Sequence, residues 1–128
     1  MIVYKAVFEI GNRCESAIAI FSCLKIIYPI GKWVTKKCFA CKTLKAAKDF
    51  RDTQFFNTNY MRIYKAETKN CIPLKNCFTH NEIDVYIQRL LGTSKIKDYA
   101  KLLNKKGSLK TPKGTILCSG IKLLEKIA

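Results

Sequence analysis

Acidic residues are scarce in this chain, and so are glycine, proline, histidine and long apolar runs. Only nine Asp and Glu stand against 24 Lys and Arg, which gives a formal net charge of +15. Six Gly and three Pro, beside 48% hydrophobic residues, exclude a low-complexity or disordered chain. The longest apolar stretch, residues 17–30, carries Lys25 and is too short to span a bilayer, so no membrane partner is expected. The 128 residues predict one packed domain, residues 1–128.

The N-terminal sequence MIVYK lacks the basic leader and apolar block of a secretion signal. We therefore expect a cytoplasmic location. The chain has seven cysteines, an odd number, and in a reducing compartment these are expected to be thiols or metal ligands rather than a disulfide framework.

The first half of the chain favours strands. Residues 2–10 alternate between two faces, Gly11-Asn12 supplies a turn, and residues 15–21 return as a second strand, which predicts a hairpin. Further strands are predicted at residues 24–28, 38–41 and 60–68, with a basic connection or edge at 32–37.

Apolar residues recur at helical spacing in three segments. A short helix is predicted over 44–50, with Thr43 as its N-cap. Two longer helices are predicted over 81–91 and 95–104, with Gly92 separating them.

The last part of the chain is expected to form a mobile basic loop at 105–113 and a closing strand at 115–127. Strands dominate the first half and helices follow them. The predicted fold is therefore α+β, a mainly antiparallel sheet with one short and two longer helices.

The positive charge is concentrated in two blocks. Residues 25–48 contain seven Lys and no acid, and residues 95–113 contain seven Lys against Asp98. These blocks carry +7 and +6, or thirteen of the fifteen net charges. Localised charge indicates a polyanionic partner, with a compositional bias toward Lys as the alternative. The chain has 20 Lys and 4 Arg, which favours attraction to a phosphate backbone over reading of bases.

Aromatic residues near these blocks could stack on bases if both blocks lie on one face, as in proteins that bind single-stranded nucleic acid. Trp33 is the leading platform, with a core or rim position as its alternative. Tyr28 is a second candidate, and Tyr99 suits a core position better. The residues predicted to bind the polyanion are Lys25, Lys32, Trp33, Lys36, Lys37, Lys42, Lys45, Lys97, Lys101, Lys105, Lys106, Lys110 and Lys113.

Two pairs have the spacing of zinc ligands. Cys38 and Cys41 form one pair and Cys77 and His80 the other, together a tetrahedral donor set. The alternative is that Cys38 and Cys41 belong to a buried strand, which would point their thiols to opposite faces. We expect no metal and no cofactor, and a zinc-stabilised nucleic-acid-binding regulator is one rival interpretation.

His80 with Glu82 and Asp84 is the one cluster suited to acid–base chemistry. The alternative is structural, because acids in the first turn of a helix complement its dipole. The sequence has one His, no Gly-rich phosphate loop and no nucleophile elbow. A non-enzymatic protein is therefore expected, and an enzyme that acts on nucleic acid or nucleotide through His80 is the second rival.

Three segments, YPIGKW at 28–33, FACKTLKAAKDF at 39–50 and PKGTILC at 112–118, resemble small uncharacterised proteins encoded by bacteriophages and prophages. The resemblance implies a viral protein that inhibits host defence in the cytoplasm of the host cell. Such an inhibitor would be anti-CRISPR-like or would sequester a nucleotide signal. Its expected partner is RNA rather than DNA, a ribonucleoprotein or an anionic nucleotide.

Overall fold

The computed structural model describes residues 1–16, 26–54, 60–78 and 85–128. The strands are β1 (Ile2–Ile10), β2 (Arg13–Ser16), β3 (Trp33–Val34), β4 (Cys38–Cys41), β5 (Met61–Lys69), β6 (Ile72–Pro73), β7 (Asn76–Cys77), β8 (Leu109–Lys110), β9 (Thr115–Cys118) and β10 (Gly120–Lys126). The helices are α1 (Leu44–Gln54), α2 (Val85–Thr93) and α3 (Ile96–Lys106).

The main sheet follows the order β3-β10-β5-β1-β4-β9-β6, with β2 paired to β1 outside this path. The strand pairs within it are antiparallel. A second, two-stranded antiparallel sheet joins β7 to β8. The expected α+β class and the mainly antiparallel sheet are therefore confirmed.

The main sheet has two halves that meet at β1. β1 pairs with β5 on one side and, through Tyr4 and Cys41, with β4 on the other. β5 pairs with β10, and β4 pairs with β9. Because only Ser119 separates β9 from β10, the chain passes directly from one half of the sheet to the other.

Alternating side chains pack together on one face of the main sheet. Val3 and Val7 of β1 meet Ala66 of β5 and Ile116 of β9 in one buried cluster, which Tyr28 completes. The opposite face is covered in two places. α1 packs Ala47 and Phe50 on the β1 and β5 side in a second cluster, and α3 packs Tyr99 and Leu103 near β9 in a third.

Several local predictions are confirmed by the described residues. β1 spans the predicted residues 2–10, and Gly11 takes a positive φ of 62° in the turn that leads to β2. β2 begins at Arg13, two residues before the predicted start at 15, and residues 17–25 lie outside the described residues. The Thr43 hydroxyl accepts a hydrogen bond of 3.1 Å from the Ala46 N–H, which caps α1 as expected.

The predicted helix lengths are wrong. α1 has 11 residues and continues to Gln54, so it is as long as α3. The described part of α2, with 9 residues, is the shortest helix, and Gly92 lies inside it rather than between two helices. The single cost of a helical Gly is small, about 1 kcal/mol, and the surrounding apolar positions outweigh it.

Two predictions near the C-terminus are also wrong. Residues 105–113 are not a mobile loop, because Lys105 and Lys106 complete α3 and Leu109–Lys110 pair with β7. Residues 115–127 form two strands with Ser119 between them, since β9 and β10 pair with different partners. The described helices include none that is long and apolar enough to cross a membrane.

Candidate nucleic-acid interface

Hydrogen bonds bring the end of the second lysine block beside the middle of the first. Asn104, in the last turn of α3, accepts a hydrogen bond of 2.7 Å from the Lys75 N–H through its side-chain oxygen. The Thr111 N–H donates to the Lys75 carbonyl at 3.0 Å, and the Lys42 N–H donates to the Gly114 carbonyl at 2.8 Å. These bonds connect the C-terminus of α3, the 111–114 segment and the N-terminus of α1.

Seven exposed lysines lie along this connected path, and we call them the basic ridge. They are Lys42, Lys45, Lys75, Lys105, Lys106, Lys110 and Lys113. The two longest segments of the path, residues 42–46 and 104–114, contain no Asp or Glu. The ion pairs found within the described parts of the chain involve none of the seven. The ridge therefore presents lysines whose charge is not neutralised by a described neighbour.

α3 extends the ridge through two further predicted residues. Lys97, Lys101 and Lys105 follow one another at i, i+4 spacing and are exposed, while Tyr99 and Leu103 point into the core. Each step of four residues is about 6 Å along the helix. A phosphate backbone could therefore meet successive ammonium groups along this face.

The start of the first lysine block lies elsewhere. Lys32 and Lys36 are exposed at the edge strand β3, and Lys37 immediately precedes β4. Burial lowers the pKa of Lys37 below its usual 10.5. The backbones of Lys37 and Lys42 flank the four residues of β4 and are about 17 Å apart at 3.3 Å per residue. The two blocks thus share one surface only in part, and Lys25 lies outside the described residues.

The structure separates the three aromatic candidates. Trp33 keeps 38% of its surface exposed, whereas Tyr28 keeps 2% and Tyr99 keeps 5%. Tyr28 is buried in the same cluster as Val3 and Val7 and cannot stack on a base, so that prediction is wrong. Tyr99 belongs to α3 and is buried in the core, the position that its sequence context favoured.

Trp33 is flanked by two lysines that no sequence pattern singled out. The ammonium of Lys69 lies 4.2 Å from the centroid of the indole ring, and that of Lys122 lies 5.2 Å from it. Both distances are in the range of cation–π attraction. We call Trp33, Lys69 and Lys122 the tryptophan patch.

The cysteines with zinc-like spacing occupy three different clusters. Cys38 lies in the cluster that contains Val3 and Val7, Cys41 lies beneath α1, and Cys77 lies beneath α3. The described residues hold no group of three His, Cys, Asp or Glu side chains able to bind a metal ion. His80, Glu82 and Asp84 lie outside the described residues.

Lys5 is buried, with 6% of its surface exposed, and donates a hydrogen bond to the Phe39 carbonyl. Burial disfavours its charged form, whereas Tyr28 and nearby thiols favour it, and the net effect raises the pKa of Lys5 above 10.5. The adjoining cavity, bordered by Cys41 and Thr115, has a volume of about 20 Å³, room for one water. A protonated amine in so small a space is not arranged to attack a substrate.

The chain was also compared with known proteins. No family model, curated protein or solved structure matches it. The basic ridge and the tryptophan patch therefore stand on geometry and charge alone.

Proposed function

We propose that this protein is a non-enzymatic binding protein that holds RNA, free or within a ribonucleoprotein, along the basic ridge. The observation that carries the proposal is the meeting of seven exposed lysines from three parts of the chain, without an acidic residue in the two longest segments. Lysine ammonium groups attract phosphates without reading bases, so the interaction is with the backbone of the strand.

The resemblance to phage proteins supplies the biological setting of this proposal. In that setting the protein is an inhibitor of host defence, and the RNA belongs to a defence complex such as a guide-bound nuclease. An anionic nucleotide signal is the alternative ligand of the same surface. The ridge favours a strand over a nucleotide because its lysines extend over several elements rather than converging on one point.

The salt dependence of RNA binding tests the ridge directly. We expect the affinity for a single-stranded RNA to fall steeply between about 0.05 M and 0.2 M salt, because binding releases condensed counterions. The double variant Lys42→Gln/Lys113→Gln removes two ridge charges. It should lower the slope of log K against log salt by about 1.4, at about 0.7 per lost contact to a single strand.

The matched control is Arg89→Gln/Lys95→Gln, which removes the same charge from α2 and from the residue before α3, neither of which is one of the seven ridge lysines. We expect this control to bind with a slope close to that of the unchanged protein. Equal losses in both double variants would show that total charge, rather than the ridge, attracts the strand. The same pair of variants, tested for protection of a phage in a host with an active CRISPR system, would report on the proposed setting.

A further inference from the structure

Trp33 lies on the sheet face that carries α1, outside the cluster beneath that helix. β3 pairs with β10, so Trp33 stands opposite Lys122, and Lys122 stands opposite Glu67 of β5. Glu67 in turn stands opposite Ile2 of β1. Directly paired residues project from the same face of a sheet, so these four side chains form one row across four strands. Ala6 shares this face with Ile2 and packs beneath α1, but none of the four row residues belongs to that cluster.

The row places positive charge against an aromatic ring. Lys69 follows Glu67 by two residues on β5 and therefore shares its face, which explains why its ammonium reaches the indole at 4.2 Å. The one described acid in the row, Glu67, lies 3.6 Å from Lys122. With Lys32 beside Trp33, the patch keeps an excess of positive charge around a partly exposed indole.

The residues around edge strand β3 indicate which kind of partner the tryptophan patch binds. β3 is an edge strand of only two residues, and Lys36 and Lys37 follow it closely. Short edge strands flanked by lysine disfavour the addition of another β-strand. An indole with ammonium groups at its face suits a partner that carries both a flat base and a phosphate.

We propose that the tryptophan patch is a base-stacking subsite for one nucleotide of a single strand, with the base on Trp33 and its phosphate near Lys69 and Lys122. This inference rests on the proposed function, because the same strand would be held by the basic ridge. It adds a contact to a base, which backbone attraction by the ridge does not supply.

Trp33 is the only tryptophan in the chain, so its fluorescence reports on this site alone. The probes are an oligouridine of about eight nucleotides, an abasic oligomer of the same length, and uridine monophosphate. We expect oligouridine to quench the fluorescence and to bind more tightly than the abasic oligomer, which has the phosphates without the bases. We expect the monophosphate to bind far more weakly than oligouridine.

The Trp33→Ala variant should weaken oligouridine binding by about 5- to 150-fold, the range that loss of one stacked base gives. Its affinity for the abasic oligomer should stay unchanged. Trp33→Phe retains an aromatic face and should keep part of the preference for oligouridine, which guards against a Trp33→Ala variant that fails to fold. Lys69→Gln should lower the salt slope for both oligomers by about 0.7.

The ridge variant Lys42→Gln/Lys113→Gln separates this inference from the proposed function. It should weaken both oligomers alike and leave the preference for oligouridine intact. Equal affinity of the unchanged protein for both oligomers, or an equal loss for both in Trp33→Ala, would overturn the subsite while leaving the ridge in place. Monophosphate binding as tight as oligouridine binding would assign the patch to a free nucleotide. It would overturn the proposal that the patch binds one nucleotide of a single strand. Failure of both oligomers to bind would overturn the proposed function itself.

Discussion

Cys41 shows how a single side chain can make the stability of this protein depend on alkaline pH. Its thiol is buried beneath α1, beside Ala6 and Ala47. Burial disfavours the thiolate and raises the pKa of Cys41 from 9.0 to about 11, against smaller opposite effects from Lys5 and Thr115. The folded protein therefore holds a neutral thiol at a pH at which the unfolded chain has lost the proton.

We expect Cys41 to contribute stability that is fully present below about pH 9 and is lost as the pH rises to about 11. The loss amounts to about 2–3 kcal/mol, because the difference is about two pKa units. The measurement is the free energy of unfolding by urea for the unchanged protein and for Cys41→Ala, compared at about pH 8 and about pH 11.

The gap in stability between the two proteins should narrow by that amount at the higher pH. Ile63→Val is the control, since it changes the same cluster without removing a titrating group. The difference in free energy of unfolding between the unchanged protein and Ile63→Val should be the same at both pH values. A constant gap for Cys41→Ala as well would show that the thiol ionises in the folded protein as readily as in the unfolded chain.

At the scale of elements, the junction between α3 and β7 depends on Gly107. A Cβ atom built at this position would lie 2.5 Å from the Cys77 carbonyl oxygen and 2.7 Å from that of Leu103. The φ angle of Gly107 is −68°, so the requirement is close approach of two backbones rather than an unusual conformation. This contact brings the end of α3, and with it Lys105 and Lys106, to the basic ridge.

We expect Gly107→Ala to destabilise the protein by about 1–3 kcal/mol, the usual cost of forcing extra atoms into a packed site. Gly92→Ala is the matched substitution, because Gly92 lies within α2 and a Cβ there meets nothing within 4 Å. It should stabilise the protein by about 0.5–1 kcal/mol, since Ala is the better helix former. Thermal unfolding of the two variants measures whether each change in stability has the expected sign. Similar losses of stability in both variants would contradict the close contact at Gly107.

Elements with a clear local signal could be predicted from the sequence. The alternation in residues 2–10 and 60–68 predicted β1 and β5 within one residue or so at each end, and Thr43 marked the start of α1. The break at Ser119 could not be predicted, because the Ile, Leu and Lys residues of 115–127 suit a single strand and the break reflects which strands they pair with.

The same limit applies to the candidate site. The lysine blocks and Trp33 were visible as sequence features, yet Lys69, Lys75 and Lys122 lie outside both blocks. Lys69 and Lys122 reach Trp33 through the pairing of β3, β10 and β5. Lys75 joins the ridge through hydrogen bonds with Asn104 and Thr111. Each of these neighbours depends on contacts between residues far apart in the chain.

At the scale of the whole molecule, the net charge of +15 should oppose the compact state. Salt screens repulsion between exposed charges, so we expect the free energy of unfolding to rise on the order of 1 kcal/mol between about 0.02 M and 0.3 M sodium chloride. For a chain of this size that corresponds to about 3–6 °C in Tm. Differential scanning calorimetry without nucleic acid measures the shift.

The ridge variant Lys42→Gln/Lys113→Gln should be more stable than the unchanged protein at low salt and should gain less from added salt. Chloride is preferred to sulfate in this experiment, because sulfate also strengthens burial of apolar surface. A Tm that falls as salt is added would mean that attractive pairs, such as Lys126 with Glu9 at 3.0 Å, outweigh the repulsion.

The order in which the strands pair also has a consequence for how the chain reaches its native state. β1 lies between β5 and β4, and the last two strands of the chain, β9 and β10, then pair with β4 and β5. Most of these contacts connect residues far apart in sequence, so loop-closure entropy is spent before they form. We therefore expect folding on the millisecond-to-second scale typical of sheets with high contact order.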